Sequence, residues 1–537
     1  MPEHHSAFSL LDWTVLVGYL LLTVGLGLYA GRGQKDADSY FLGGRRMPLW
    51  AVALSVLATS LSAATYIGAP QQSFSGDLTY LIMNVGGVTA AFVVAFLFIP
   101  PLYRSGTITI YGYLGKRFGE PSVVAASAMF LLGRLLSSGA RLFMAGIAFA
   151  LMLYGDTQTR DLILAILIFG VVGTIYTATG GIKAVIWTDT VQIITVVAAA
   201  LLSIYLLARA IPLTPTEMIA AWREFPTVDP ATGAETTVNK LRILDLRLDP
   251  ALSFTLWTGL IAATFSNTAS YGVDQDMLQR TMTARSSLRA SWSMIASILL
   301  GVPVVFLFLV IGLLLAIFYG RPDLMGDAAP LDPIVDTNRV YPQFLLNHLP
   351  AGIRGVAMAG LFAAALSTFD SAINAMASAA VADLYWPWRE RRARAQGRPS
   401  PRTGKSDLQT SRVLVVSMGL LLTLFAILAV FLHQRGSNSL IDFALGVMAF
   451  ALAPLLGVFS AALFTRRGNN ASVITGVVIG FFVVLLLQPD FLPRWTGLAV
   501  AWPWHYVITS PIVFAVCVLG RPAAMKKPPR EAGAGNA

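Results

Sequence analysis

Apolar runs of membrane-spanning length dominate the chain. Thirteen candidate segments lie near 10–32, 50–69, 78–104, 122–153, 160–179, 183–209, 253–272, 289–320, 352–384, 410–434, 438–466, 471–488 and 500–520. Each is close to, or longer than, the ~20 residues that carry a helix across a ~30 Å hydrocarbon core. Inside a bilayer only helices and closed barrels satisfy every backbone group, and runs this long predict helices. Charged residues make up 12% of the chain, about half the ~25% usual for soluble domains. The expectation is an all-α polytopic membrane protein, with residues 1–537 forming one transmembrane domain.

The net charge of +10 would suit a nucleic-acid binder, so its placement matters. Of 38 Lys and Arg residues, 25 fall in the loops and tail of one side and 11 on the other; Arg134 and Arg141 lie within a span. This is the asymmetry of the positive-inside rule. It predicts a cell (inner) membrane protein with its N-terminus outside and its C-terminus cytoplasmic, with lipid and not nucleic acid as its partner. The basic stretch 388–405 is expected to be a disordered cytoplasmic linker that touches anionic lipid. A single cysteine, Cys517, and five scattered histidines give no disulfide or histidine metal centre.

One span is chemically out of character. Ser55–Pro70, SVLATSLSAATYIGAP, carries hydroxyls at Ser55, Thr59, Ser60, Ser62 and Thr65 and closes on Gly68 and Pro70. Such residues serve close helix packing, or a helix that opens to present oxygens to something small and polar. The segment 253–272 is alike, with Thr264, Ser266, Asn267, Thr268 and Ser270. Each opens a run of five spans, 50–209 and 253–466. An odd number makes the two runs face opposite ways, as in the inverted repeats of transporters. An extra helix at 10–32 precedes them and extra helices at 471–520 follow.

Buried ionisable residues mark candidate chemistry. Asp189, in GGIKAVIWTDTVQ, costs about 2.5–3.5 kcal/mol within a span. It is either a helix-paired acid or a ligand for a cation or proton. Ala364, Ser367, Thr368 and Ser371 share one helical face, and Asp370 borders it. Hydroxyls beside a carboxylate suit a hard cation; the alternative is hydroxyls used for packing. Arg134 is a candidate for an anionic solute or a structural ion pair, and Arg141 for snorkelling or pairing. Asp274, Asp276 and Arg280 read as an interfacial gate or structural contact. No G-x-G-D, G-x-S-x-G or H-E-x-x-H element is present, so an intramembrane enzyme built on Asp189 and Asp370 is the weaker reading. A single chain with a pseudo-repeat fits alternating access better than a symmetric pore.

Five stretches coincide in order: SYFLGGRRMPLW, the serine-rich span, TGGIKAVIWTDTVQ, VDQDMLQR and ALSTFDSAINAMASAAVADLY. Together they resemble the sodium/solute symporter family, and ATSLSAATY with LLGRLL is most similar to its bacterial sialic acid symporters. The resemblance implies a leucine-transporter-like inverted repeat of two five-helix halves with broken first helices, and coupling to one or two Na+ ions. It implies a first sodium at the carbonyls of Ala58, Leu61 and Ala364 and the hydroxyls of Ser367 and Thr368. A second would use Asp189, Ser367, Asp370 and Ser371, where Asp370 replaces a serine of the close relatives. Substrate contacts carry over to Ser60, Ser62, Thr65, Asn84 and Arg134. The implied function is sodium-coupled import of a small hydroxylated solute such as sialic acid. A neutral sugar, an amino acid or another organic anion on the same fold is the alternative.

Overall fold

The structure is a computed structural model that describes residues 8–522 except 35, 155–157, 229–232, 331–333, 335, 400–403, 434–439 and 490. Nearly all of it is helical, with one small hairpin pairing Phe225–Val228 and Glu235–Val238. Among the described residues, nine helices are long and apolar enough to cross a membrane, and ten if one bent pair counts as a span. That pair is Leu49–Ser60 with the helix Ala63–Ser75. The helix Thr159–Ala210 covers two of the expected segments on either side of Gly181, whose φ of +55° and ψ of −166° break it. Only glycine fits there: a Cβ would meet the Tyr40 carbonyl at 2.7 Å and Gln34 at 2.8 Å. Gln34 Nε2 donates to the Gly180 carbonyl (2.5 Å) and the Tyr40 hydroxyl to that of Ala178 (3.0 Å), so the broken backbone keeps its partners. The expected segments at 253–272 and 471–488 meet shorter helices, Ala263–Gly272 and Asn470–Leu486.

Burial separates centre from periphery. In the span Ile353–Ala395, 94% of the most apolar window is buried, against 17% for Leu10–Ala30. The helix Ile353–Ala379 is therefore the axis around which the others pack. It is rich in alanine, serine and glycine, which lets neighbours approach closely. Tyr66 on the trailing half of the bent pair donates its hydroxyl to the Ala357 carbonyl (2.8 Å) and so pins that half to the axis. Gly86 packs its Cα against the Gly259 carbonyl, and Gly312 against that of Pro70, where a Cβ would not fit. Gly31, which caps the first helix, lies against the Gly180 backbone in the same way.

The basic stretch differs from expectation. Its first part continues the central helix through the π-turn Ala380–Tyr385 into the helix Trp386–Ala395. Arg391 pairs with Glu120, which gives this extension a partner on the neighbouring helix. Residues 400–403 of the stretch lie outside the described residues, as do the first seven residues and those after 522. A further short helix spans Val340–Asn347.

Candidate functional site

The break in the bent pair organises the site. The two halves meet at 57°. Leu61 (φ −91°, ψ 88°) and Ser62 (φ −87°, ψ 173°) leave the helical region. The Thr65 N–H turns to the Ser62 carbonyl (2.9 Å) instead of that of Leu61, so the ladder loses a bond where the chain bends. Peptide oxygens freed in this way are the donors a small cation needs.

A cavity of about 190 Å³ opens beside the break. Ser60, Ser62, Thr65 and Asn84 all line it. Ser60 Oγ donates to the Leu57 carbonyl (2.8 Å) and Asn84 Nδ2 to that of Leu81 (3.2 Å), leaving their remaining oxygen valences for a ligand. Opposite them stand Ser266, Asn267 and Ser270 from the second hydroxyl-rich helix, together with Trp502 and Tyr506. Such a wall of hydroxyls, amides and aromatic faces matches a small polyhydroxylated molecule.

The two arginines of the helix Glu120–Tyr154 part company here. Arg134 does not line the cavity. It pairs with Asp274 and lies 3.2 Å from Asp276. Arg141, two turns later, is on the cavity wall. The sequence marked Arg141 only as a snorkelling or paired residue. The signal that separates the two is the acidic pair at 274 and 276, some 140 residues away.

Asp274, Asp276 and Arg280 are buried within the protein. They form one end of a continuous polar chain. Arg280 Nη1 donates to Asp276 Oδ1 (2.8 Å), and its Nε donates to Ser55 Oγ (3.0 Å). Its Nη2 reaches Ser371 and lies 3.5 Å from Asp189 Oδ2. Asp189 accepts from Ser367 at 2.6 Å and Ser55 at 2.5 Å. Tyr176 donates to Asp370 Oδ2 (2.7 Å), while Ser371 lies 3.4 Å from the other Asp370 oxygen. Ser367, Asp370, Ser371 and Asp189 therefore gather on one side of the central helix. Thr368 lies apart from them, donating to the Ala364 carbonyl (3.1 Å) and facing a void of about 10 Å³ shared with Ala63 and Arg141. Ala58 sits in the last turn before the break. Both sets are oxygen donors, the chemistry of a hard cation such as sodium and not of a thiophilic metal.

Residues 40–480 match the sodium:solute symporter family. The chain is 25% identical to the sodium/sialic acid symporter SiaT of Proteus mirabilis, over 89% of each chain. It is 26% identical to sodium-coupled monocarboxylate transporter 2 of Danio rerio, covering 89% of this chain and 71% of that one. A solved substrate-bound, outward-open Na+-coupled sialic acid symporter superposes with a TM-score of 0.79 at 24% identity, over 96% of this chain and 99% of the other. The nucleobase-cation-symport transporter Mhp1 shares the fold at a TM-score of 0.52 and 13% identity, over 91% and 94%. The fold is that of the leucine-transporter-like transporters.

Proposed function

Because the chain belongs to the sodium:solute symporter family, a family of sodium-coupled membrane transporters and not of enzymes, we propose that it imports a small hydroxylated organic anion. The observation that carries this reading is the cavity beside the helix break, whose hydroxyls and amides stand with Arg141, an arginine that pairs with no carboxylate among the described residues. A carboxylated sugar such as the sialic acid named for the Proteus mirabilis relative fits this wall. Ser60, Ser62, Thr65 and Asn84 are the proposed solute contacts. Arg134 is the fixed partner of Asp274 behind the wall, touching the solute site only through that carboxylate.

Sodium is proposed at two positions. The first lies at the break, with the carbonyls of Ala58, Leu61 and Ala364 and the hydroxyls of Ser367 and Thr368. The second uses Asp189, Ser367, Asp370 and Ser371. An ion at the first position would sit at the bend that borders the solute cavity. The distribution of basic residues supports an inner-membrane location with the N-terminus outside and the C-terminus in the cytoplasm. The two repeats are assigned to 50–209 and 253–466, with flanking helices at 10–32 and 471–520.

A thermal-shift screen of the purified protein tests the reading. N-acetylneuraminate, glucuronate, lactate, glucose and an amino acid are each added in sodium and in potassium. A ligand at a hundred times its Kd stabilises by about 2.7 kcal/mol. The expected outcome is stabilisation by at least one carboxylate in sodium and none in potassium. Equal stabilisation in both salts, or stabilisation only by the neutral compounds, would overturn it.

A further inference from the structure

We propose that Arg141 is the coupling charge of this symporter: it opposes sodium at the neighbouring break until a solute carboxylate neutralises it. This rests on the cavity being the solute site.

The argument starts from where the guanidinium stands. Arg141 borders two spaces at once. One is the solute cavity, shared with Ser60, Ser62 and Asn84. The other is the small void shared with Ala63 and Thr368, next to the proposed first sodium position. No other charged residue borders both.

Its own partners do not balance it. Nη2 donates to the Met448 thioether sulfur (2.8 Å), a weak acceptor, and Nε has no hydrogen-bond partner. The carboxylates nearby are already taken: Asp274 pairs with Arg134, and Asp276 with Arg134 and Arg280. An arginine keeps its proton even when buried. A positive charge therefore faces the cavity with no carboxylate paired to it among the described residues, whereas the buried Arg134 and Arg280 each have one or more.

Two consequences follow from that placement. A carboxylate entering the cavity meets a planar fork suited to bidentate pairing. A sodium ion at the break would meet a like charge across the small void that Thr368 and Arg141 both border, and Coulomb repulsion within a protein is screened less than in water. Sodium alone is then disfavoured, and the carboxylate removes the penalty by neutralising Arg141. By reciprocity sodium must favour the carboxylate by the same factor. Tight coupling arises from one shared charge, without any long structural pathway.

The test is a sodium titration of the full chain in lipid nanodiscs at constant ionic strength, read by tryptophan fluorescence, since Trp502 stands on the cavity wall. Without solute, Arg141→Gln is expected to bind sodium about tenfold more tightly than wild type, a coupling of ordinary size. Arg141→Lys, which keeps the charge, is expected to match wild type. Adding N-acetylneuraminate, glucuronate or lactate should tighten sodium binding by wild type about tenfold and leave Arg141→Gln unmoved. If Arg141→Gln does not fold, Arg141→Met takes its place in the same comparison. Unchanged or weaker solute-free sodium affinity in the neutral variant overturns the proposal, and so does a carboxylate effect that survives it. Failure of all three carboxylates to bind wild type counts instead against the solute class, while the solute-free comparison still decides the role of Arg141.

Discussion

Asp274 faces two ways. Its carboxylate lines the solute cavity, yet it is held from behind by Arg134. Breaking such a buried pair by removing one charge typically costs about 3–5 kcal/mol, because the remaining charge is left unbalanced. Arg134 would keep only Asp276, at 3.2 Å, which Arg280 already shares. Asp274→Asn is therefore expected to lower the thermal unfolding midpoint in detergent well below that of Asn84→Ala, a change on the same wall that breaks no ion pair. Similar midpoints for the two would mean that the pair is not structural. The same residues show what the sequence could and could not reveal. Ser367 and Ser371 were legible on one helical face with Asp370 at its border, whereas Asp189, 178 positions from Ser367, joined them only through the family resemblance. The sequence favoured Arg134 over Arg141 for an anion, whereas Arg141 is the one that lines the cavity and Arg134 pairs with Asp274. Their fates are decided by acids brought in from another helix far along the chain.

At the level of elements, the break at Leu61 and Ser62 was readable as a hydroxyl-rich span, but the device that ends its trailing half was not. That helix stops at Ser75, leaving its last carbonyls without helical donors. Lys240, from the loop after the long helix, supplies them. Its ammonium donates to the carbonyls of Phe74 (2.7 Å) and Gly76 (3.0 Å) and lies 4.6 Å from the centre of the Phe225 ring. No local pattern announces a cap delivered from more than 160 positions away. Burial pushes the Lys240 amine down from 10.5 to about 8. Between those values the unfolded chain still carries a proton that the folded chain has released. Stability contributed at this site therefore rises with pH across that window and is constant below about 8. Unfolding of wild type and Lys240→Met, followed from pH 7 to 10.5, is expected to show the wild type gaining on the variant only above about pH 8. A difference that stays flat, or shrinks as pH rises, would refute the assignment.

Across the whole molecule, charge decides how the transporter responds to voltage. The buried polar chain holds four carboxylates, of Asp189, Asp274, Asp276 and Asp370, against the two guanidiniums of Arg134 and Arg280. That formal deficit of positive charge lies mainly at the Asp189 and Asp370 end, because Arg134 and Arg280 are both drawn toward Asp276. A cation there would relieve it, and the ion proposed at the helix break would accompany the solute. Two sodium ions with a monoanion move one net positive charge inward, and one charge gains about 2.3 kcal/mol per 100 mV. Uptake of a carboxylated solute into proteoliposomes is therefore expected to be faster, and accumulation higher, when a potassium diffusion potential makes the interior negative. Asp370→Ser should keep the voltage response if hydroxyl oxygens suffice for the second ion, since Asp189, Ser367 and Ser371 remain. Asp189→Asn, which removes the carboxylate that Ser55 and Ser367 both address, should abolish it. Voltage-independent uptake by the wild type would mean that a single sodium accompanies the anion. The acids at 189 and 370 would then serve only to anchor Arg280 and Tyr176.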